Sequence, residues 1–266
     1  MTTPDIDWQD YARFAEVLAE AAAGEILPHF RTRPGMDNKV ASGFDPVTAA
    51  DRAGERAMRA LIETTFPDHG IVGEEYGERP ARSPFTWVLD PVDGTRSFVC
   101  GMTSWAVLVG LTYEGRPMVG VMHQPYVGEV FVGSPAGSFL KHAGGTTRLA
   151  TSPTATLAEA IATTTAPHLY RSQRQERFLA SVNSAVRFMR YDGDSYFFCM
   201  LAAGQIDLAL DADLQPYDIA ALIPIIEGAG GIVATWDGAS AAGGGDILAA
   251  ANRTLFDQAS ALLRDG

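Results

Sequence analysis

The sequence predicts a mixed α+β chain of two layered subdomains with a ligand cleft between them. Three observations point there. Two N-terminal stretches carry apolar residues at helical spacing, a run of short strand-like segments follows from Phe85, and helix-like and strand-like stretches alternate beyond residue 150. The division is placed at residues 1–150 and 151–266, and clefts between such halves are common ligand sites.

The elements follow in order. Asp7 to Phe30 reads as an amphipathic helix with Tyr11, Phe14, Leu18 and Ala21 on one face. Pro34, Gly35 and Gly43 mark an irregular stretch. A second helix is expected from Thr48 to Phe66, where Met58, Leu61, Ile62 and Thr65 form its stripe and Pro67 follows its end. Trp87–Leu89, Ala106–Leu111, Met118–Met122 and Glu129–Gly133 read as strands, with a hairpin turn at Glu114-Gly115. In the second half, strands are expected at Ala160–Thr164, Phe188–Arg190, Asp207–Leu210, Ile232–Ala234 and Ile247–Ala250. Helices are expected at Arg174–Ser184, Tyr196–Ala203, Ile219–Glu227 and Thr254–Leu263.

The bulk properties narrow the function. With 266 residues, 47% hydrophobic and 20% charged, the composition is that of a globular protein with room for one large or two smaller units. No apolar stretch approaches the ~20 residues of a membrane span, and the polar, acidic Met1–Asp10 does not read as a secretory signal. Cys100 and Cys199 lack zinc-like spacing and read as reduced thiols, so a cytoplasmic protein is expected. The net charge of −12 argues against a nucleic-acid binder, which needs a basic face.

Four segments carry carboxylates that structure alone does not fully explain. Asp45-Pro46-Val47-Thr48-Ala49-Ala50-Asp51 suits helix capping, with Thr48 as N-cap and Asp51 in the first turn. Gly73-Glu74-Glu75-Tyr76-Gly77-Glu78, after Ile71-Val72, is either a solvated acidic loop or a strand end presenting a ligand. Asp90-Pro91-Val92-Asp93-Gly94-Thr95, after the apolar Trp87-Val88-Leu89, is the most specific: it puts two carboxylates on a turn and fresh N–H groups just beyond. Asp218, in Pro216-Tyr217-Asp218-Ile219-Ala220-Ala221, reads as an acid opening a helix that runs to Glu227-Gly228-Ala229-Gly230-Gly231. Carboxylates on a turn suit a hard cation such as Mg²⁺, and helix-start N–H groups suit a phosphate. Side by side, they meet the requirements of phosphate ester hydrolysis. Divalent ions also remove the apparent conflict between an acidic protein and an anionic ligand.

Together these four segments resemble the inositol monophosphatase-like superfamily of Mg²⁺-dependent, lithium-sensitive phosphatases. The resemblance spans nearly the whole chain: the Gly-Glu-Glu segment, Asp-Pro-Val-Asp-Gly-Thr followed by Phe98, and Asp218 followed by Glu-Gly-Ala-Gly-Gly. It implies a layered αβαβα sandwich of the sugar-phosphatase type with the active site between the subdomains. It implies Glu74, Asp90, Asp93, Asp218 and the Val92 carbonyl as ligands for two or three Mg²⁺ ions, with Mn²⁺ a possible substitute. Thr95 and Asp51, with Glu74, resemble the group that orients a metal-activated water, and the N–H groups of Gly94 and Thr95 resemble a phosphate cradle. No phosphoenzyme is expected. The family often forms homodimers, so a homodimer acting on a small phosphorylated metabolite is the implied state.

The branch resembled most is the histidinol-phosphate phosphatase branch. Pro216-Tyr217 replaces a Trp common in inositol phosphatases, and Asp192-Gly193-Asp194-Ser195-Tyr196 is similar to that branch's Gly-Gly-Asp-Cys-Tyr. Asp194 and Asp211 sit where the family contacts the leaving alcohol, and an acid there suits the cationic histidinol. Asp211 stands where a Glu is usual and Asp192 where a small Gly is, which leaves inositol 1-phosphate or another polyol phosphate as the alternative. An inactive metal-binding interaction protein is the alternative from another class. Asp194 is equally a helix N-cap on sequence grounds; Lys39, Arg187 and Arg190 read as surface residues as readily as site residues; Cys100 reads as a buried thiol; and His29, His69, His123, His142 and His168 have no metal-site spacing.

Overall fold

The structure is a computed structural model describing residues 6–32, 36–38 and 46–263. In chain order it has α1 (Trp8–Ile26), β1 (Met36–Asn38), β2 (Pro46–Thr48), α2 (Ala49–Thr65), β3 (Gly70–Gly73), β4 (Gly77–Arg79), β5 (Phe85–Asp93), α3 (Thr95–Cys100), β6 (Ala106–Tyr113), β7 (Arg116–Gln124), β8 (Glu129–Ser134), β9 (Gly137–His142) and β10 (Gly145–Arg148). There follow β11 (Ile161–Thr164), α4 (Gln173–Ala185), β12 (Phe188–Tyr191), α5 (Asp194–Ala202), β13 (Leu208–Leu214), α6 (Pro216–Ile219), α7 (Leu222–Gly228), β14 (Ile232–Thr235), β15 (Gly245–Ala250) and α8 (Arg253–Leu262).

Two sheets form the frame. The first has eight strands in the order β10-β9-β8-β7-β6-β5-β3-β4, and the second has five in the order β12-β11-β13-β15-β14. The first is antiparallel, except that β3 pairs parallel to β5. The hairpin at Glu114-Gly115 is present, with both residues at positive φ (51° and 79°), the backbone a two-residue hairpin turn needs. β4, β9 and β10 were not read from the sequence. β10 is exposed along its whole length, so its sequence carries no apolar alternation to read.

Period-two alternation sends each strand's side chains to different cores. In β6, Val107 and Val109 join Leu18, Ile26, Met58 and Ile62 from α1 and α2, while Ala106 and Leu108 face the opposite way. That opposite core holds Phe198 of α5 and Ile225 and Ile226 of α7, closed by Ala209 and Ile247 of the second sheet. Leu208, Leu210 and Leu248 then meet Phe178 and Val182 of α4 and Leu255 and Phe256 of α8. The layers are therefore helix, sheet, helix, sheet, helix, the αβαβα sandwich that the resemblance implied.

One departure matters for the site. The helix expected over Ile219–Glu227 is two short helices, α6 and α7, separated at Ala220–Ala221. Pro224 explains the break: it has no N–H for the Ala220 carbonyl and its ring would strike that carbonyl, but it is tolerated in the first turn of α7. Gly110, Gly120 and Gly133 are cross-strand neighbours on β6, β7 and β8. The α6–α7 junction lies directly on this row: a Cβ on Gly120 would overlap the Ala221 carbonyl oxygen, and one on Gly133 the Ile225 backbone. The row brings α6, with Asp218, down beside the end of β5.

Candidate active site

Asp90 and Asp93 are three residues apart on β5, a spacing that sends side chains to opposite faces of a regular strand. A bulge corrects this. Asp90 pairs with Leu108 and Asp93 with Ala106, so β5 has one more residue than β6 over this step. Pro91, which cannot donate to a ladder, sits inside the bulge. Both carboxylates thereby reach Asp218 of α6, and one oxygen from each of the three lies within 4.8 Å of the others. Asp218 also caps α6, its Oδ2 accepting the Gln215 N–H at 2.7 Å, so the capping and clustering roles coexist.

Glu74 follows β3, where its N–H donates to Leu89 O at 3.2 Å, and its carboxylate is close enough to Asp90 to raise that carboxyl. Asp90 Oδ1 accepts the Val92 N–H at 3.0 Å. Thr95 Oγ1 lies 3.1 Å from the Val92 carbonyl and 3.3 Å from Asp51 Oδ1, and can donate to either. Asp51, in the first turn of α2, is fully buried. Gly94 takes the left-handed conformation (φ 78°, ψ 41°) just before α3, and a Cβ there would crowd the Asp194 carboxylate. The glycine is needed for its backbone and for the approach of Asp194.

The other predicted residues arrive from the C-terminal half, Asp194 from a helix and Asp211 from the second sheet. Asp194 is the first residue of α5, but its side chain does not cap: the N-cap is Gly193, without a side-chain bond, and Asp194 Oδ2 accepts from Ser97 Oγ at 3.0 Å. Next to it, the Ser195 N–H donates to Asp93 Oδ2 at 2.8 Å. Asp211 on β13 is held by three donors, Thr164 Oγ1 at 2.8 Å, Thr165 N at 2.9 Å and Thr165 Oγ1 at 2.9 Å. Glu74, Asp90, Val92, Asp93, Gly94, Thr95, Asp194, Asp211 and Asp218 all line one cavity of about 580 Å³, with Arg96 and Arg171 also in its wall.

Crowded, buried acids resist ionisation. Burial first, then Glu74, Asp93 and Asp218, push Asp90 well above the usual carboxylate range. Asp218 is raised well above it too, by burial and then by Asp93. Burial pushes Asp93 up to about 6 against the pull of hydrogen bonds from Ser195, and Asp211 up to about 6 against those from Thr165 and Thr164. Asp194 rises to about 8 through burial and then Asp93. Several carboxylates that repel one another in a buried cleft fit a divalent cation, which would remove the repulsion.

Lys39 and Asp45 lie outside the described residues, as does the Thr48 side chain. Arg187 and Arg190 are exposed. Cys100, expected to be buried, is exposed, and Cys199 is buried. His69 and His123 are buried away from the site, and Trp87 Nε1–H donates to His69 Nδ1 at 3.1 Å. Sequence reasoning missed Thr165, which orients Asp211 and lines the cavity; its hydroxyl lies in a strand-to-loop stretch, Thr163-Thr164-Thr165, with no motif around it.

An acidic cleft beneath an αβαβα sandwich defines a class of phosphatase, and residues 7–265 match the model of the Inositol monophosphatase family. The chain belongs to that family and is one of its phosphatases. It is 36% identical over 236 residues to the Bifunctional phosphatase IMPL2, chloroplastic, of Arabidopsis thaliana, covering 88% of this chain and 66% of the plant protein. It is 32% identical to a Histidinol-phosphatase of Chlorobaculum parvum, over 99% of this chain and 98% of that one. Among solved structures it is similar to an inositol monophosphatase from Zymomonas mobilis, with a TM-score of 0.86 and 35% identity, covering 97% of this chain and 99% of that one. No helix of the described residues is long and apolar enough to cross a membrane.

Proposed function

We propose that the chain is a Mg²⁺-dependent phosphomonoesterase whose preferred substrate is histidinol phosphate, converted to histidinol and phosphate in histidine biosynthesis. The observation that carries the reading is the meeting of Asp90, Asp93 and Asp218 within 4.8 Å in a cavity that also exposes Gly94 and Thr95. Asp90, Asp93, Asp218, Glu74 and the Val92 carbonyl would hold the ions; an all-oxygen donor set suits Mg²⁺ or Mn²⁺. Two such ions, when bound, clamp the attacking and leaving oxygens of an in-line displacement.

The protein's own groups do the positioning. The Thr95 hydroxyl, 3.3 Å from Asp51, orients the attacking water together with Glu74. N–H groups at the first turn of α3 have no acceptor within the helix, and those of Gly94 and Thr95 receive the phosphate oxygens. Asp194 and Asp211 face the organic half. Asp211 has both oxygens fixed by Thr164 and Thr165, so it is a preorganised acceptor for an ammonium or imidazolium. We read residues 1–150 and 151–266 as the two subdomains, each built on one sheet. The family resemblance supports a homodimer, and two free thiols, one exposed, agree with the reducing cytoplasm.

The test is phosphate release from histidinol phosphate, inositol 1-phosphate and other small esters, with Mg²⁺ and with a chelator. Release is expected only with the cation, with the highest kcat/KM for histidinol phosphate. A higher kcat/KM for the inositol ester replaces the substrate. No release from any ester, with the ions bound, leaves an inactive metal-binding protein.

A further inference from the structure

We propose that Glu55 is a positioning residue for the cation centre, acting through the turn that carries Glu74; this rests on the metal-dependent reading above. Glu55 lies one helical turn after Asp51 on α2 and is fully buried, which is rare for a carboxylate unless it is paired. It does not line the cavity. Instead its Oε2 accepts the Glu75 N–H at 2.7 Å, and its Oε1 accepts the Tyr76 N–H at 3.2 Å and Arg59 Nε at 2.7 Å. Among the described residues, every bond of that carboxylate goes either to the turn after Glu74 or to a guanidinium that itself reaches the turn, since Arg59 Nη2 donates to the Gly77 carbonyl.

The turn needs this support. It joins β3 to β4 at the edge of the first sheet, where β4 has no further strand beyond it among the described residues. On the inner side, Glu74 N–H is bonded to Leu89 of β5. On the outer side, α2 holds the next two N–H groups. The turn is pressed against Glu55 closely enough that a Cβ on Gly73 would overlap the Glu55 carboxylate. α2 therefore serves the site twice from one face: Asp51 meets Thr95, and Glu55 fixes the backbone from which Glu74 reaches Asp90. Groups that orient a metal ligand typically change affinity by 10- to 100-fold when lost.

The experiment measures Mn²⁺ binding to the full chain by spin resonance without substrate, beside phosphate release and melting temperature. In Glu55→Gln the amide must turn its NH₂ toward at least one N–H donor. Mn²⁺ affinity is expected to fall about tenfold or more. In a Glu74→Gln background the same change is expected to have no further effect on affinity, because the ligand it positions is gone. Asp207→Asn supplies the comparison: this buried carboxylate binds Ser152 Oγ and Ile161 N far from the turn, so it lowers the melting temperature and leaves Mn²⁺ affinity unchanged. Glu55→Gln with a lower melting temperature but wild-type Mn²⁺ affinity overturns the proposal, as does an equal loss in the Glu74→Gln background. Should Glu55→Gln not fold, Arg59→Met takes its place, with a smaller affinity loss that again needs Glu74; no loss overturns the proposal. A wild-type chain that neither binds Mn²⁺ nor releases phosphate overturns the functional reading as well, an outcome distinct from the others.

Discussion

Asp93 has two jobs. It belongs to the carboxylate trio with Asp90 and Asp218, and it accepts the Ser195 N–H at 2.8 Å, joining the β5 turn to α5. Asp93→Asn keeps an oxygen for Ser195 and removes one charge from the trio. Turnover is expected to fall at least 100-fold, about 2.7 kcal/mol, with weaker cation binding. The chelated variant is expected to melt higher than chelated wild type, because a buried repulsion is gone. Wild-type turnover at ordinary Mg²⁺, or a chelated protein that melts lower, counts against the assignment. Asp90, Asp93 and Asp218 were legible in the sequence because each sits in a distinctive local string. Glu55 was not: an acid four residues after Asp51, on a helix with exposed charges elsewhere, looks like part of a solvated face. Only packing shows that both are buried.

At the scale of elements, most helices and strands were legible because a buried stripe or alternation fixes their type. What escaped notice was contact between elements. The glycines of β6, β7 and β8 are unremarkable in sequence, yet their cross-strand alignment lets the α6–α7 junction lie on the sheet. The bulge at Asp90–Asp93 was equally hidden, because an extra residue is defined only against the partner strand. The glycine row makes a contrast testable. Gly120→Ala drives a Cβ into the Ala221 carbonyl, and overpacking of this kind costs about 1–3 kcal/mol. It should lower the melting temperature and, by lifting α6 and Asp218, weaken Mg²⁺ binding. Gly24 is exposed on α1 with open space around its Cβ position, so Gly24→Ala should raise stability, by up to about 1 kcal/mol, and leave Mg²⁺ binding untouched. Calorimetric melts and Mg²⁺ titrations of both variants check this; equal effects would mean the row does not position Asp218.

For the whole molecule, five layers bring acids from both sheets into one cleft, and that convergence ties stability to pH and, on the proposed reading, to a cation. A carboxylate raised in the folded state makes the native protein hold more protons than the unfolded one. Stability is then fully present below the usual Asp value of about 3.9 and is lost as pH rises through the folded value. Asp93 and Asp211 lose theirs through about 6, Asp194 through about 8, and Asp90 and Asp218 are raised as well. His69 and His123 act in the opposite sense. Burial lowers both, against the pull of Asp68 on His69 and of Glu20 on His123. Their contribution is present above about 6.5 and is lost as pH falls below it. Between pH 6.5 and 8 the unfolded imidazoles of His69 and His123 finish losing their protons, so their opposing contribution fades and the acids increasingly set the slope. Each extra proton held by the native state costs about 1.4 kcal/mol of stability per pH unit. Chelated protein should therefore unfold at progressively lower denaturant concentration from pH 6.5 to 8. With saturating Mg²⁺ this fall should be abolished, because the ion holds the cleft acids ionised in the native state as they are in the unfolded chain, and no difference in bound protons is left. Denaturant midpoints across that window, with and without the ion, provide the measurement. Parallel curves would mean that the cleft acids and the cation are not coupled.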